Sequence, residues 1–151
     1  MNVGTICCKK VFTVQRTDGL LAAAHLMREK HIGYLVVVGP ERSDEAARPV
    51  GVLTDRDIVV SVVAPEIDPR TLRVGDVMTQ PPITVGESDS IEKALAEMRG
   101  AGVRRLPIVA ADGRLIGILS IDDVLEVLAG DLQDVSRSIR NERMVEGLRR
   151  P

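Results

Sequence analysis

"GVLTDRDIVV" (residues 51–60) closes one apolar, strand-like run on a hydroxyl residue, Thr54, and opens a helix-like run around an aspartate, Asp57, three positions later. "GILSIDDVLE" (117–126) repeats the arrangement with Ser120 and Asp123. A Ser/Thr-x-x-Asp pair at a strand-to-helix junction fits a capping box. The hydroxyl accepts from a free amide of the first turn, and the carboxylate reaches back to the amide before it. The positive end of the helix dipole also favours an acid there. Capping alone would account for either pair. Their recurrence asks whether they hold something as well.

The recurrence extends over most of the chain. A shift of 71 residues lays "TVQRTDGLLAAAHLMREKHIGYLVVV" (13–38) over "TVGESDSIEKALAEMRGAGVRRLPIV" (84–109), matching Thr13 with Thr84, Asp18 with Asp89, Met27 with Met98 and Leu35 with Leu106. The offset then falls to 66, because "GPERSDEAARPV" is five residues longer than "AADGRLI". A polar turn rich in Gly and Pro is where a repeat absorbs such a difference.

Each copy reads β-α-β-β-α. An extended piece ("FTV", "ITV") leads to a helix start at Thr17-Asp18 or Ser88-Asp89, whose side-chain oxygens suit capping. The helix then presents Leu20, Ala23, Ala24 and Met27 on one face, matched by Ile91, Ala94, Leu95 and Met98. Two strands follow, "YLVVV" and "PVGVLT" or "RLPIV" and "LIGILS", and then a closing helix, "DIVVSVVA" or "DDVLEVLA". The fold class expected is α/β (α+β): two pseudo-twofold-related units packed through their sheets, plus a C-terminal helix. The boundaries expected are 1–66 for the first repeat, 67–75 for a connector, 76–129 for the second repeat and 130–151 for a helical extension. One unit alone has few ways to cover so apolar a sheet, whereas two can cover each other and leave two clefts between them.

Composition narrows the function. The 151 residues are 44% hydrophobic and 28% charged, with a formal net charge of -2. That balance offers no electrostatic attraction to nucleic acid or an anionic membrane. Phe12 and Tyr34 are the only aromatics, so base-stacking platforms are excluded and any planar ligand must lie between aliphatic side chains. No apolar run reaches the roughly 18 residues of a membrane span. The adjacent Cys7 and Cys8 suit a reduced, cytoplasmic protein better than a disulfide. His25 and His31 are poorly spaced for a shared metal, and no nucleophile-base set, P-loop or dinucleotide fingerprint is present. Neither enzymatic activity nor a required cofactor is expected.

The signatures "GVLTDRDIV" and "GILSIDDVL", the strand "GVRRLPIV" (102–109) and the lead-in "VGDVMTQPPITV" (74–85) together resemble a tandem pair of CBS domains, the Bateman module. The resemblance covers about residues 5–129 and implies regulation rather than catalysis, by adenine nucleotides (AMP, ADP, ATP) or adenosyl compounds held between the repeats. It implies that the signature aspartate holds ribose hydroxyls, that the Ser/Thr lies near the sugar-phosphate, and that basic residues on the neighbouring strand meet phosphate. Carried across, it nominates Thr54 and Asp57, Ser120 and Asp123, and Arg104 with Arg105, on the strand that holds Pro107. An apolar slot for the purine is expected near Val14, Ile32, Val85 and Val103. The first copy has Gly33-Tyr34-Leu35-Val36 where the second has Arg104-Arg105-Leu106-Pro107. The two clefts are therefore expected to be unequal: the corner of Ser120 and Asp123 is expected to bind, and that of Thr54 and Asp57 to bind phosphate poorly unless Arg56 compensates.

The tail (130–150) sets Leu132, Val135, Ile139, Val145 and Leu148 near one face, a stripe that needs a partner. The expected protein is a stand-alone regulatory homodimer acting on a client protein. The competing reading is a scaffold subunit with the same fold and empty or degraded clefts.

Overall fold

The computed structural model describes residues 2–39 and 47–149. The chain is mixed α/β, with two three-stranded sheets and a C-terminal helix. The first sheet takes β1 (Thr13–Gln15), β2 (Tyr34–Val38) and β3 (Pro49–Thr54); the second takes β4 (Val85–Gly86), β5 (Arg105–Val109) and β6 (Leu115–Ser120). In each, the first strand runs parallel to the middle one and the last antiparallel to it. The middle strands are buried almost throughout, Leu35 to Val38 and Leu106 to Ile108. They are continuous apolar runs because both of their faces are covered.

Helices α2 (Leu20–Lys30) and α5 (Ile91–Ala101) pack Leu20, Ala23 and Met27, or Ala94 and Met98, into the two cores. They start later than the expected Thr17-Asp18 and Ser88-Asp89. Asp18 Oδ2 accepts from the Gln15 amide at 2.8 Å and Asp89 Oδ2 from the Gly86 amide at 2.9 Å. Those carboxylates close the turn before the helix, a local bond that competes with capping. Ser90 is the cap of α5, accepting from the Lys93 amide at 3.2 Å, and Gly19 stands in the matched place without a side chain to do so.

The closing helices differ. In the first repeat, α3 (Asp55–Ile58) widens at once into a π-helical turn, Val59–Val63, which buries Val62 and exposes Val59, Val60 and Val63. In the second, α6 runs unbroken from Ile121 to Arg149. The expected tail helix is thus the outward continuation of the closing helix.

The repeats exchange their lead-in segments. The short helix α1 (Val3–Ile6) precedes the first repeat yet packs on the second: Val3 and Cys7 share a core with Val85, Leu119 and Val124. Its counterpart α4 (Val74–Val77) precedes the second repeat and packs on the first, where Val74 and Met78 join Val14, Leu53 and Val62. The backbone follows the same crossing. Val3 and Gly4 donate to the carbonyls of Asp89 and Glu87, as Val74 and Gly75 do to those of Asp18 and Arg16, all at 2.9 Å. Cys8 bridges to Ile118 on β6, and Thr79 to Val52 on β3. Burying a valine stabilises by about 1.5–3 kcal/mol, so Val3 and Val74, both fully buried, each tie one repeat to the other.

This crossing explains two glycines. A Cβ on Gly117 would lie 2.7 Å from Cys7 Sγ and 2.9 Å from the Cys8 carbonyl; one on Gly51 would lie 2.8 Å from Met78 Sδ and 3.0 Å from the Thr79 carbonyl. Both keep the strand open for the other repeat's backbone.

Candidate ligand clefts

Both Ser/Thr-x-x-Asp pairs form the capping geometry. Thr54 Oγ1 accepts from the Asp57 amide at 3.1 Å, and Asp57 Oδ2 accepts from the Thr54 amide at 2.8 Å. Ser120 Oγ accepts from the Asp123 amide at 3.1 Å, and Asp123 Oδ2 from the Ser120 amide at 2.7 Å. The corners then diverge. Ser120 Oγ also donates to Asp123 Oδ2 at 2.6 Å, which commits its proton internally. The Thr54 hydroxyl makes no matching bond to Asp57; Oδ1 of both aspartates has no hydrogen-bond partner among the described residues. In each corner one carboxylate oxygen starts the helix and the other is left without a hydrogen bond.

Two related clefts lie between the repeats. A cleft of about 360 Å³ brings Thr54, Arg56 and Asp57 of the first repeat against Val103, Arg104 and Arg105 of the second, with Pro81, Pro82 and Ile83 along one side. The other, about 550 Å³, is lined by Cys8, Lys10, Phe12, His31, Ile32, Tyr34, Arg105 and Ile118. Under the repeat shift these are equivalent places, since Pro81 to Ile83 match Lys10 to Phe12 and Val103 matches Ile32.

The distribution differs from the one that strand-by-strand matching predicts. Arg104 and Arg105 belong to the second repeat but line the cleft of the first signature. Arg105 reaches both clefts, and Arg104 Nη2 also lies 3.5 Å from Asp122 Oδ1 in an exposed ion pair. Ser120 and Asp123 sit at the matching corner but are not among the residues lining the second cleft. Of the four apolar residues expected around a purine, Ile32 and Val103 line one cleft each. Val14 and Val85 lie in the two cores and line neither, because their strands turn those side chains inward. Pro107 is buried in β5 opposite Ile118.

Tyr34, which stands where the second repeat has Arg105, lines both clefts. Burial holds its phenol well above the usual tyrosine range, with the Asp57 carboxylate adding to the effect and the Arg105 guanidinium opposing it. It therefore stays a neutral donor across physiological pH. Its replacement of an arginine was the available signal. The neighbouring Gly33 lies against the Asp55 side chain, which would have to move aside for a Cβ there.

A set of carboxylate, hydroxyl and guanidinium groups can bind a polyol phosphate. A carboxylate oxygen accepts from a diol, and guanidinium forks suit phosphate oxygens. Among the described residues, no group of three or more His, Cys, Asp or Glu could hold a metal ion, and no helix is long and apolar enough to cross a membrane.

The fold and its paired clefts are those of a tandem CBS-domain protein. The CBS-domain family model matches residues 3–64 and 74–130, and the chain belongs to that family. An uncharacterized protein of Methanopyrus kandleri is 38% identical over 127 residues, 84% of this chain and 62% of the relative, so the chain spans about three fifths of that relative's length. A putative signal-transduction protein with CBS domains from Burkholderia ambifaria is 31% identical with a TM-score of 0.76, over 87% of this chain and 96% of that one. A CBS domain protein from Pyrobaculum aerophilum, solved in complex with AMP, is 25% identical with a TM-score of 0.73, over 82% and 89% of the two chains.

Proposed function

We propose that the chain is a non-catalytic regulatory module that binds an adenine nucleotide or adenosyl compound in the cleft of Thr54, Asp57, Arg104 and Arg105, and passes the resulting change of shape to a client protein. The observation that carries this reading is the meeting in one cleft, across the repeats, of the Asp57 carboxylate, one oxygen of which has no hydrogen bond, and the Arg104 and Arg105 guanidinium groups. In this mechanism Asp57 Oδ1 accepts from the ribose diol. The Thr54 hydroxyl meets the sugar-phosphate, while Arg104 and Arg105 neutralise it. Val52, Ile83 and Val103 flank the base. The AMP complex of the Pyrobaculum aerophilum protein supports the choice of adenylate.

Because ligand contacts come from both repeats, binding favours whichever relative placement of the repeats fits it best. A ligand shifts a conformational equilibrium only through such a difference in affinity. The active form in this reading is a homodimer.

Thermal melting with AMP, ADP, ATP and S-adenosylmethionine tests the proposal. A ligand at about 100 times its dissociation constant adds about 2.7 kcal/mol, a shift of several degrees for a chain of this size. Asp57→Asn, which keeps an acceptor for the Thr54 amide, should leave the unliganded melting temperature within a few degrees and abolish most of the ligand shift. No shift with any of the four compounds would favour a scaffold with vacant clefts.

A further inference from the structure

The outer part of α6 carries an interaction surface that the clefts do not use. Leu125, Leu128, Leu132, Val135 and Ile139 fall at alternating spacings of three and four residues, the heptad seam of a coiled coil rather than the broader face of a helix packed on a globular core. All five are exposed, between 47% and 71%. Every described residue from Leu128 to Arg149 is exposed as well. This stretch also holds Gly130, Ser136, Ser138, Asn141 and Gly147, all weak helix formers. A helix so composed draws its stability from packing of its apolar seam rather than from propensity.

The charges say what packs there. From Ile121 to Ser136 every charged residue is acidic; from Arg137 to Arg149 there are four arginines against two glutamates. Two copies set side by side in parallel would put acid against acid and arginine against arginine. Set antiparallel, each acidic half meets a basic half. Centring the pair between Leu132 and Val135 places Leu132 against the second copy's Val135 and Leu128 against the second copy's Ile139. Glu126 then lies beside the second copy's Arg140 and Arg143. Leu132, Val135, Ser136, Ile139, Arg140 and Arg143 already line one shallow groove along the helix, so the arginines flank the seam.

We infer that the outer half of α6 is a self-association element, which pairs two copies of this chain as an antiparallel coiled coil. It deepens the homodimer of the proposed function by giving it a seam and an orientation, and it rests on none of the cleft residues.

The test is the mass of the full-length chain, by light scattering and sedimentation from micromolar to hundreds of micromolar, with helicity followed in parallel. The expected result is a concentration-dependent association, accompanied by a rise in helicity. Leu132→Glu with Ile139→Glu should weaken it by at least about tenfold, halving the mass at intermediate concentration. Arg140→Glu with Arg143→Glu should weaken it too, and adding Glu126→Lys and Asp131→Lys to that chain should restore it. A chain that stays at its monomer mass of 16.4 kDa throughout overturns the inference. So does an association indifferent to the seam substitutions, or a charge reversal that the second reversal fails to rescue. Calorimetric titration of AMP and ATP into the same variants keeps the two readings apart: clefts that bind neither count against the proposed function and leave the mass result standing.

Discussion

Tyr34 and Arg105 occupy matched positions of the two repeats, and each lies along both clefts. Symmetry thus places a neutral phenol and a cation at the same juncture, within electrostatic reach of each other and of Asp57. Arg104, one residue earlier, lines only the cleft of Thr54 and Asp57.

Arg105→Ala should therefore weaken nucleotide binding wherever it occurs, while Arg104→Ala should affect the Thr54 cleft alone. A hydrogen bond to a charged group is worth about 1.5–3 kcal/mol, so each loss should be roughly tenfold to a hundredfold. Calorimetric titration of AMP reads affinity and stoichiometry together. An Arg104→Ala chain that loses affinity at every site would contradict this division.

Gly117→Ala should destabilise the fold by about 1–3 kcal/mol, the usual range for forcing extra volume into a packed site. The new methyl group meets the short Cys7 side chain and the Cys8 backbone, neither of which can swing away. Gly51→Ala should cost somewhat less, because the Met78 sulfur can move aside and only the Thr79 carbonyl, at 3.0 Å, stays fixed. Chemical denaturation of both variants measures the order, and adding Cys7→Ala to Gly117→Ala should recover part of the loss.

His31 ends α2 in the left-handed conformation, φ 54°, where Gly102 ends α5 at φ 67°. A side chain there costs about 1–2 kcal/mol. His31→Gly should thus raise stability by up to about 1 kcal/mol, after the extra freedom glycine gives the unfolded chain. A melting temperature that falls would reveal a contact of the imidazole that outweighs the strain.

Asp89 has its carboxyl held below the usual range by Lys93, 2.8 Å away, and by the Gly86 amide. A depressed carboxylate stabilises the fold above its unfolded value, about 3.9, and that contribution is lost as the pH falls through the folded value. Asp89→Asn keeps an acceptor for Gly86 and removes the charge. Wild type and variant should differ at neutral pH and converge in acid, as read from urea unfolding at pH 7 and pH 3.

The strands were legible because unbroken runs such as "YLVVV" and the polar turns around them leave little choice of element. The duplication then fixed the element order twice. What sequence could not supply was who faces whom. Arg104 and Arg105 are near neighbours of Ser120 along the chain, since Arg105 pairs with it across the hairpin, yet their side chains reach the corner of Thr54 and Asp57. Only the crossing of the repeats brings together residues some fifty positions apart. The helix starts were misplaced for a smaller reason: Asp18 and Asp89 can bond a preceding amide as readily as a following one. The Val59–Val63 turn has the same apolar pattern as an ordinary helix, so its widening left no mark that periodicity could detect.

The exchanged lead-ins bear on how the chain is made. The place where Val3 and Cys7 are buried includes Leu119 and Val124, which are synthesised much later. This lead-in is made well before its seat exists. Until then the first repeat can be closed by its own downstream neighbour, Val74 to Met78, whereas Val3 to Cys7 wait unseated. A bulky fusion placed directly before Val3 would burden that last closure and leave the first repeat untouched.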